Sequence, residues 1–425
     1  MSAADAPRGL WNRGFLSLLL TQFFEAASDN IIKDTIVFAA AVGGPWEAIF
    51  GAGGGGLIAV IFSAPFILLS AFGGRIADRH SKSRITIVLK ALSLGVCALC
   101  ALEFARGSAA GAVAALVLFA IVSAFFGPVK YGMIAELVEP KELARANGII
   151  NMATNVAVIV GGIVAGIVVT DWKRSHVDGI PTGIDAWLPG IAMAAAVVLG
   201  FLTCLTLPRL RPQNPTLPIN LNPFSTYLST LREMARSPLL AVCGAWTFFY
   251  FVASVVLLIL PDYSSFLGVA DNETAYLKAG LGVAIGVGCV LAAYLDSPSR
   301  RPRFVPLGAV GLAVAFTLLG LAPASYAITA ALLCLTGLVA GFYIIPLQSM
   351  LQAFAPDDAR GRVLGTANGV SFLMGLLGGV VFFGLRGPLH MPSHRVFLVV
   401  GALCAVMAVV CWKWLRGLGQ AVQAA

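Results

Sequence analysis

Apolar residues along this chain fall into long continuous runs that are separated by short polar connections. Each run is about 20 residues long, the length that an α-helix needs to cross the hydrocarbon core of a bilayer. The pattern predicts twelve membrane-spanning helices and therefore an all-α membrane protein. The predicted spans are 14–40, 48–72, 84–104, 109–129, 146–170, 187–207, 238–261, 273–295, 304–322, 325–348, 363–386 and 394–415.

One long polar connection, 208–237, is rich in proline and basic residues and divides the runs into two sets of six. We expect an N-terminal six-helix half at 1–207 and a C-terminal six-helix half at 238–425, joined by this cytoplasmic linker. Three landmarks recur in both halves in the same order and at nearly constant spacing. They are Asp78 and Asp296, Pro128 and Pro346, and the Ala-Asn-Gly triplets at 146–148 and 367–369. Such a repeat is typical of transporters built from two related halves.

The composition excludes a soluble protein. Hydrophobic residues make up 59% of the 425 positions and charged residues only 11%, whereas soluble domains carry about 25% charged residues. The net charge of +8 does not indicate nucleic-acid binding, because most of the basic residues lie in alternate short connections. This distribution orients membrane helices, and it predicts that both termini are cytoplasmic.

No motif indicates catalysis, a cofactor or a metal. The eight cysteines lie within or at the ends of apolar runs, where a thiol packs as a small apolar group. The glycine-rich segment 51–56 lacks the Lys-Ser/Thr ending of a phosphate-binding loop. His390 and His394 have no third ligand near them in the sequence. We predict that the protein is not an enzyme.

The first predicted span is unusually polar. Gln22, Glu25, Asp29 and Lys33 recur at a spacing that puts them on one helix face, and Asn30 follows Asp29. A charge at the bilayer centre costs about 2.5–3.5 kcal/mol, so we expect this face to line a polar cavity, with Asp29 paired to Lys33. These residues, apart from Gln22, are predicted to bind substrate. The alternative is a purely structural ion pair.

Lys130 is the second candidate for substrate binding. It lies in the segment Gly127–Gly132 at the end of the fourth predicted span, where Pro128 should bend the helix. A lysine at this end of the cavity can contact a phosphate or a carboxylate. The alternative is a lysine that only extends its amine to the membrane interface.

The connection between the second and third spans contains Gly74, Asp78, Arg79 and Arg84. This pattern resembles the cytoplasmic signature of the major facilitator superfamily, in which such a network latches the cytoplasmic gate. We expect Asp78 to pair with basic groups or with a helix N-terminus. The corresponding gating residues of the second half are Asp296 and Arg300. The alternative is a basic loop that only orients the protein.

The whole chain resembles the lysophospholipid transporter family of the major facilitator superfamily. The segments that carry the resemblance are 22–30, 126–132, 146–148 and 267–277. The resemblance implies a monomer that moves lysophospholipids across the bacterial cytoplasmic membrane by alternating access, with Asp29, Asn30 and Lys130 in its polar cavity. Segment 341–348 also resembles members fused to an acyltransferase, so a separate acyltransferase is a candidate partner alongside the membrane lipids.

The chain departs from this family at the seventh span, where a basic residue is expected and 241–260 has none. Lys33 is a candidate for the second cation of the site. Two other functions stay open. One is a proton-coupled exporter of amphipathic drugs or small metabolites, with Asp29 or Glu25 titrating. The other, a membrane-embedded lipid enzyme, is less favoured because the sequence contains no recognisable nucleophile or acid–base pair.

Overall fold

The computed structural model describes residues 9–41, 44–51, 54–177, 180–220, 222–269, 271–297 and 301–423, which are almost entirely helical. The helices are α1 (Arg13–Ala40), α2 (Glu47–Phe50), α3 (Gly54–Arg79), α4 (Lys82–Ala105), α5 (Ala109–Leu137), α6 (Leu143–Arg174), α7 (Leu188–Cys204), α8 (Pro223–Met234), α9 (Leu239–Leu267), α10 (Asp271–Leu295), α11 (Arg301–Leu321), α12 (Tyr326–Phe354), α13 (Arg360–Arg386) and α14 (Ser393–Gln423). Short 3-10 helices occur at Pro140–Glu142 and Ile184–Trp187. The strands β1 (His176–Val177) and β2 (Ile180–Pro181) form a small antiparallel hairpin in which His176 lies opposite Pro181.

Eleven helices in the described ranges are long and apolar enough to cross a membrane. Helix α1, with 28 residues, is also long enough, but its polar residues lower its hydropathy below that of the others. With α1 as the twelfth, the long helices match the predicted spans one for one. The predicted all-α membrane fold is confirmed, and the β1–β2 hairpin is a minor addition to it.

Several helices continue beyond the apolar runs that predicted them. Helix α3 includes Asp78 and Arg79, so this part of the predicted connection is the last turn of a helix. Helix α5 continues to Leu137, and Pro128 lies inside it. The segment around Pro128, predicted to lie at the end of the fourth span, therefore lies inside a longer helix. Hydropathy marks only the part of a helix within hydrocarbon, and a helix can extend into the polar layer beyond it.

The linker at 208–237 contains a helix of its own, α8. The side chain of Asn222 caps this helix, because its Oδ1 accepts from the backbone N–H of Phe224 at 3.0 Å and of Ser225 at 3.4 Å. Thr226, Thr230 and Met234 on one face of α8 are buried.

The helices form two compact units. Unit 1 comprises 1–138, 157–230 and 356–369, and unit 2 comprises 139–156, 231–355 and 370–425. Each unit therefore contains most of one half of the sequence. Two short segments are exchanged: the beginning of α6 belongs to unit 2, and the beginning of α13 belongs to unit 1.

In unit 1, α1 and α4 each pack against α5 and α7, and α3 packs against α5. One end of its core is aromatic: Trp46 and Trp172 both pack against Phe104. Their indole N–H groups donate to the carbonyls of Gly107 and Phe104, each at 3.1 Å.

In unit 2, α10 packs against α12, and α11 packs against both α12 and α14. Helix α9 contacts α10, α12 and α14. The buried hydroxyl of Tyr343 on α12 donates to the carbonyl of Ala245 on α9 at 2.7 Å.

Candidate functional site

Buried charges come together in unit 1 where α1, α4 and α5 meet. Glu25 of α1 forms an ion pair with Lys90 of α4, and both side chains are almost fully buried. The Lys90 Nζ also lies 4.1 Å from the centre of the Phe126 ring on α5, a distance at which an ammonium is attracted to an aromatic face. Because an unpaired buried charge is very costly, this ion pair is what allows α1 and α4 to bury charged groups.

A hydroxyl of α5 joins the two carboxyl groups of α1. Ser123 Oγ lies 3.1 Å from Glu25 Oε1 and 2.9 Å from Asp29 Oδ1. Glu25 and Asp29 are one helical turn apart, so both face α5. Asp29 is only half-buried. Through Ser123 it connects the buried pair of Glu25 and Lys90 to a more exposed part of the site.

Lys33 does not pair with Asp29, and this predicted contact is wrong. Lys33 Nζ instead donates to Asn30 Oδ1 at 2.7 Å and lies 3.4 Å from Asp34 Oδ1. The Asn30 amide in turn donates to the Ala26 carbonyl at 2.7 Å. Asp29 is turned toward Ser123, which leaves Lys33 with the nearer polar groups of its own helix.

Lys130 lies two helical turns beyond Ser123 on the same face of α5. It is half-buried, and its Nζ lies 4.4 Å from the centre of the neighbouring Tyr131 ring. The charges of Glu25 and Asp29 act on it, but it forms no ion pair with a described residue. The ammonium group of Lys130 is thus near two acidic groups, but no described acidic side chain contacts it directly.

The five predicted binding residues thus lie on α1 and α5, as part of one polar cluster. Together with Asp34, Lys90 and Ser123 they make a set of eight residues that we call the charged cluster: Glu25, Asp29, Asn30, Lys33, Asp34, Lys90, Ser123 and Lys130. It contains three acidic and three basic side chains. The side chains of Lys33 and Asp34 are 27% and 26% exposed, so the cluster has one accessible edge and one buried edge at Glu25 and Lys90.

Sequence reasoning missed Lys90 and Ser123. The sequence did contain a signal for Lys90, since a lysine inside an apolar run must be paired or face water. It contained none for Ser123, because serine is common within membrane helices and gives no periodic pattern.

Asp78 of α3 is predicted to take part in gating. Its side chain is fully buried and lies against the beginning of α13. It accepts hydrogen bonds from the backbone N–H groups of Gly361 at 2.5 Å and of Arg362 at 3.0 Å, and its Oδ2 lies 3.7 Å from Arg362 Nη1. A carboxylate in this position satisfies otherwise unpaired N–H groups and the positive end of the helix dipole. An added Cβ at Gly74 would lie 2.1 Å from the Gly361 carbonyl oxygen, so glycine is required for this approach of α3 to α13.

Two basic residues near Asp78, Arg75 and Arg79, bind the linker. Arg75 donates to the Pro218 carbonyl at 2.8 Å and Arg79 to the Leu217 carbonyl at 3.2 Å. The Asn214 N–H donates to the carbonyl of Asp78 at 2.8 Å. Arg84 is exposed and forms no ion pair within the described chain.

The gating residues predicted in the second half are Asp296 and Arg300. Asp296 follows the last residue of α10 and is half-buried. Arg300 lies outside the described residues.

A network of four amide side chains lies in unit 2. Asn147 of α6 donates to Gln352 Oε1 of α12 at 2.7 Å, and its own Oδ1 accepts from Gln348 and Gln352, each at 3.1 Å. Asn151 donates to Gln348 Oε1 at 2.9 Å. We call these four residues the amide network. Asn368, from the repeated triplet, lies in unit 1 and donates to Ser70 Oγ at 3.0 Å.

Comparison with known proteins identifies the family. Residues 18–379 match the model of the Major Facilitator Superfamily. The chain belongs to this superfamily. It is therefore a multi-pass membrane protein of a transporter family, and the predicted family is confirmed.

Among curated proteins, the chain is similar to lysophospholipid transporters over nearly its full length. It is 28% identical over 427 residues to the lysophospholipid transporter LplT of Enterobacter sp. (strain 638), which covers 97% of this chain and 99% of that protein. Identity to the protein of the same name from Escherichia coli (strain K12 / DH10B) is also 28%, over 420 residues, with 96% of this chain and 97% of the relative covered. The resemblance seen in the sequence segments thus extends over both halves.

Solved structures of the superfamily share the fold. The human organic anion transporter MFSD10 (TETRAN) aligns with a TM-score of 0.73 at 13% identity, covering 93% of this chain and 99% of that one. The proton:xylose symporter XylE aligns with a TM-score of 0.66 at 16% identity, covering 95% and 96%. At these identities the likeness concerns the major facilitator fold alone.

The charged cluster can bind charged groups of either sign. Ammonium groups can bind a phosphate, carboxylates can bind an amine, and a hydroxyl can bridge between them. No group of three His, Cys, Asp or Glu side chains in the described ranges could hold a metal ion. The cluster therefore offers paired charges of both signs to a ligand.

Proposed function

We propose that this protein is a lysophospholipid transporter that moves lysophospholipids across the bacterial cytoplasmic membrane by alternating access. The observation that carries the proposal is the charged cluster, with three acidic and three basic side chains on the transmembrane helices of unit 1. The full-length similarity to proteins named lysophospholipid transporters supports it. The protein would relocate the lipid without changing it chemically.

The charges of the cluster suit a zwitterionic head group. A phosphate would contact Lys130, the lysine of the charged cluster that has no ion-pair partner among the described residues. A head-group amine would contact Asp29, the half-buried carboxylate. The ion pair between Glu25 and Lys90 would hold α1 and α4 in place while Asp29 and Lys130 exchange their interactions for those of the lipid. Charge-assisted hydrogen bonds of this kind are about twice as strong as neutral ones.

The contact of Asp78 with the N-terminus of α13 would act as one gate of this cycle, because α3 and α13 come from different halves of the sequence. The amide network in unit 2 joins α6 and α12 in the same way. We propose that both contacts form on the cytoplasmic side, with both termini in the cytoplasm, and that the transporter acts as a monomer. A separate acyltransferase would consume the delivered lysophospholipid.

The test is transbilayer movement of labelled lysophosphatidylethanolamine in proteoliposomes. We expect the wild-type protein to accelerate the movement over empty liposomes. Asp29→Ala and Lys130→Ala should each lower the rate about tenfold or more, since a hydrogen bond to a charged group contributes about 1.5–3 kcal/mol. Asp171→Ala and Lys141→Ala serve as controls, because these charges are exposed at the protein surface.

Two outcomes would contradict the proposal. If wild-type protein does not accelerate movement of the lysolipid, the substrate class is wrong although the fold stands. If movement requires a pH gradient and small amphipathic solutes are carried instead, the protein is a proton-coupled exporter. Equal activity of the Asp29→Ala and Asp171→Ala variants would separately exclude the charged cluster as the head-group site.

A further inference from the structure

An apolar groove runs between α11 and α14 within unit 2. It has a volume of about 670 Å³, within the range of about 300–1,000 Å³ that is usual for ligand sites. Its walls include Val310, Val314 and Leu318 of α11 and Ala405 and Val409 of α14. Three of these side chains, Val310, Val314 and Val409, are 44%, 52% and 55% exposed. Exposed apolar side chains on membrane-spanning helices face hydrocarbon, so the groove opens toward lipid.

The two helices are antiparallel along the groove. An added Cβ at Gly401 would lie 2.7 Å from Thr317 Oγ1, and one at Gly320 would lie 2.5 Å from a Leu398 side-chain carbon. Residue numbers therefore rise along α14 as they fall along α11. By this register, the beginning of α11 lies beside the turns of α14 that follow Trp412.

The end of the groove defined by this register is cationic. Lys413 lines the groove there, next to Trp412, and Arg303 lies two turns before Val310 on the same face of α11. Both basic side chains are exposed, and neither forms an ion pair with a described residue. Tryptophan is typical of the membrane interface, so the cationic end lies at head-group depth and the apolar walls lie deeper.

We propose that this groove is a binding site for a resident bilayer phospholipid with an anionic head group. One acyl chain lies between α11 and α14, and the phosphate contacts Lys413 and Arg303. Basic residues at the end of a groove between membrane helices are suited to anionic lipids. The apolar walls alone would accept any acyl chain, so the two cations supply the selectivity for the head group.

This lipid is distinct from the transported one. The groove is formed by helices of unit 2 alone and shares no residue with the charged cluster. Its lining in the described part of the chain also includes no acidic side chain that could bind a head-group amine. A net negative phospholipid therefore fits the groove better than a zwitterionic lysolipid does.

The test is native mass spectrometry of the full-length protein, delipidated in detergent and titrated with phosphatidylglycerol or phosphatidylcholine. We expect one phosphatidylglycerol to bind more tightly than phosphatidylcholine. Lys413→Gln and Arg303→Gln should each weaken phosphatidylglycerol binding about fivefold, as expected for one basic residue near a lipid phosphate. Val314→Trp should fill the groove and weaken the binding of both lipids.

Matched variants on α14 provide the controls. Arg395→Gln removes an exposed cation at the other end of the helix, and Val406→Trp adds the same bulk at an exposed position outside the groove. Both should bind phosphatidylglycerol as the wild type does, and thermal unfolding should be unchanged in all variants. Equal binding by Lys413→Gln and Arg395→Gln would overturn the proposal. Displacement of phosphatidylglycerol by an equimolar amount of lysophosphatidylethanolamine would also overturn it, since the groove would then hold the transported lipid.

Discussion

Lys90 is the residue on which the charged cluster depends. Its ammonium pairs with Glu25 and lies against Phe126, and it has almost no contact with solvent. A buried ion pair adds little net stability, but removal of one partner leaves the other as an uncompensated charge. Lys90 is thus required mainly because Glu25 is there.

Lys90→Met should therefore destabilise the protein by about 3–5 kcal/mol. The double variant Glu25→Gln/Lys90→Met should recover most of this loss, because it buries no charge. Thermal or denaturant unfolding in detergent would measure both effects. Arg174→Gln is the control, since that residue belongs to an exposed ion pair worth about 0–1 kcal/mol. A double variant less stable than Lys90→Met would show that the ion pair has no such role.

The residues of the charged cluster could be predicted only in part from the sequence. A spacing of four residues put Glu25, Asp29 and Lys33 on one face of α1, and an intramembrane charge signals function. Side-chain partners depend on the rotation of α1 against α4 and α5, which one sequence does not determine. Asp29 therefore faces Ser123 rather than the predicted Lys33.

At the scale of elements, the two repeated Ala-Asn-Gly triplets each lie within the first three turns of a long helix and place an asparagine against another helix. Asn147 contacts α12 through the amide network, and Asn368 contacts Ser70 of α3. Gly148 follows the first asparagine, and an added Cβ there would lie 2.7 Å from the Cys289 carbonyl oxygen on α10. The triplet thus combines a close approach of two helices with a directional side-chain bond.

Asn147→Leu should remove three hydrogen bonds of the amide network and leave Gln348 and Gln352 incompletely paired in a buried site. Each unsatisfied group costs about 1–3 kcal/mol, so we expect a clear fall in the temperature of unfolding. Asn155→Leu, on the same helix, is the matched control because, among the described residues, its side chain bonds only to the carbonyl of Asn151. If both variants unfold at the same temperature, the network does not stabilise the contact between α6 and α12.

Helix ends were the elements predicted least well. The hydropathy of the sequence indicated that one span ends at 72, whereas α3 continues through Asp78 to Arg79. The last turns of α3 are polar, and hydropathy cannot distinguish them from a loop. Their helical conformation places Gly74 and Asp78 one turn apart on the face that meets α13.

At the scale of the whole molecule, the arrangement of long helices follows closely from the sequence. Apolar runs of membrane-spanning length are a strong signal because every backbone polar group in hydrocarbon must bond within its own helix. The number of spans and the membership of the superfamily were therefore predictable. The exchange of helix beginnings between the two units was not, because it depends on contacts between segments far apart in the sequence.

The orientation in the membrane stays a prediction and can be tested with two matched positions. Arg174 and Asp357 have equally exposed side chains, at 76% each, and lie in connections predicted to be on opposite sides of the membrane. In a variant lacking the native cysteines, Arg174→Cys should react with a membrane-impermeant maleimide in intact cells. Asp357→Cys should react only after permeabilisation. The reverse pattern would place both termini outside the cytoplasm.

Three hydrogen bonds between the last turns of α3 and the linker use only main-chain groups of the linker. Arg75 and Arg79 bind Pro218 and Leu217 in this way, and Asn214 pairs through its backbone N–H. Every residue type supplies a carbonyl and every type except proline supplies an N–H, so the amino acids at these positions can vary widely over evolution. The number of residues between them cannot, because an insertion or deletion would shift every carbonyl away from its arginine. Related chains should therefore conserve the length of this linker more strictly than its sequence.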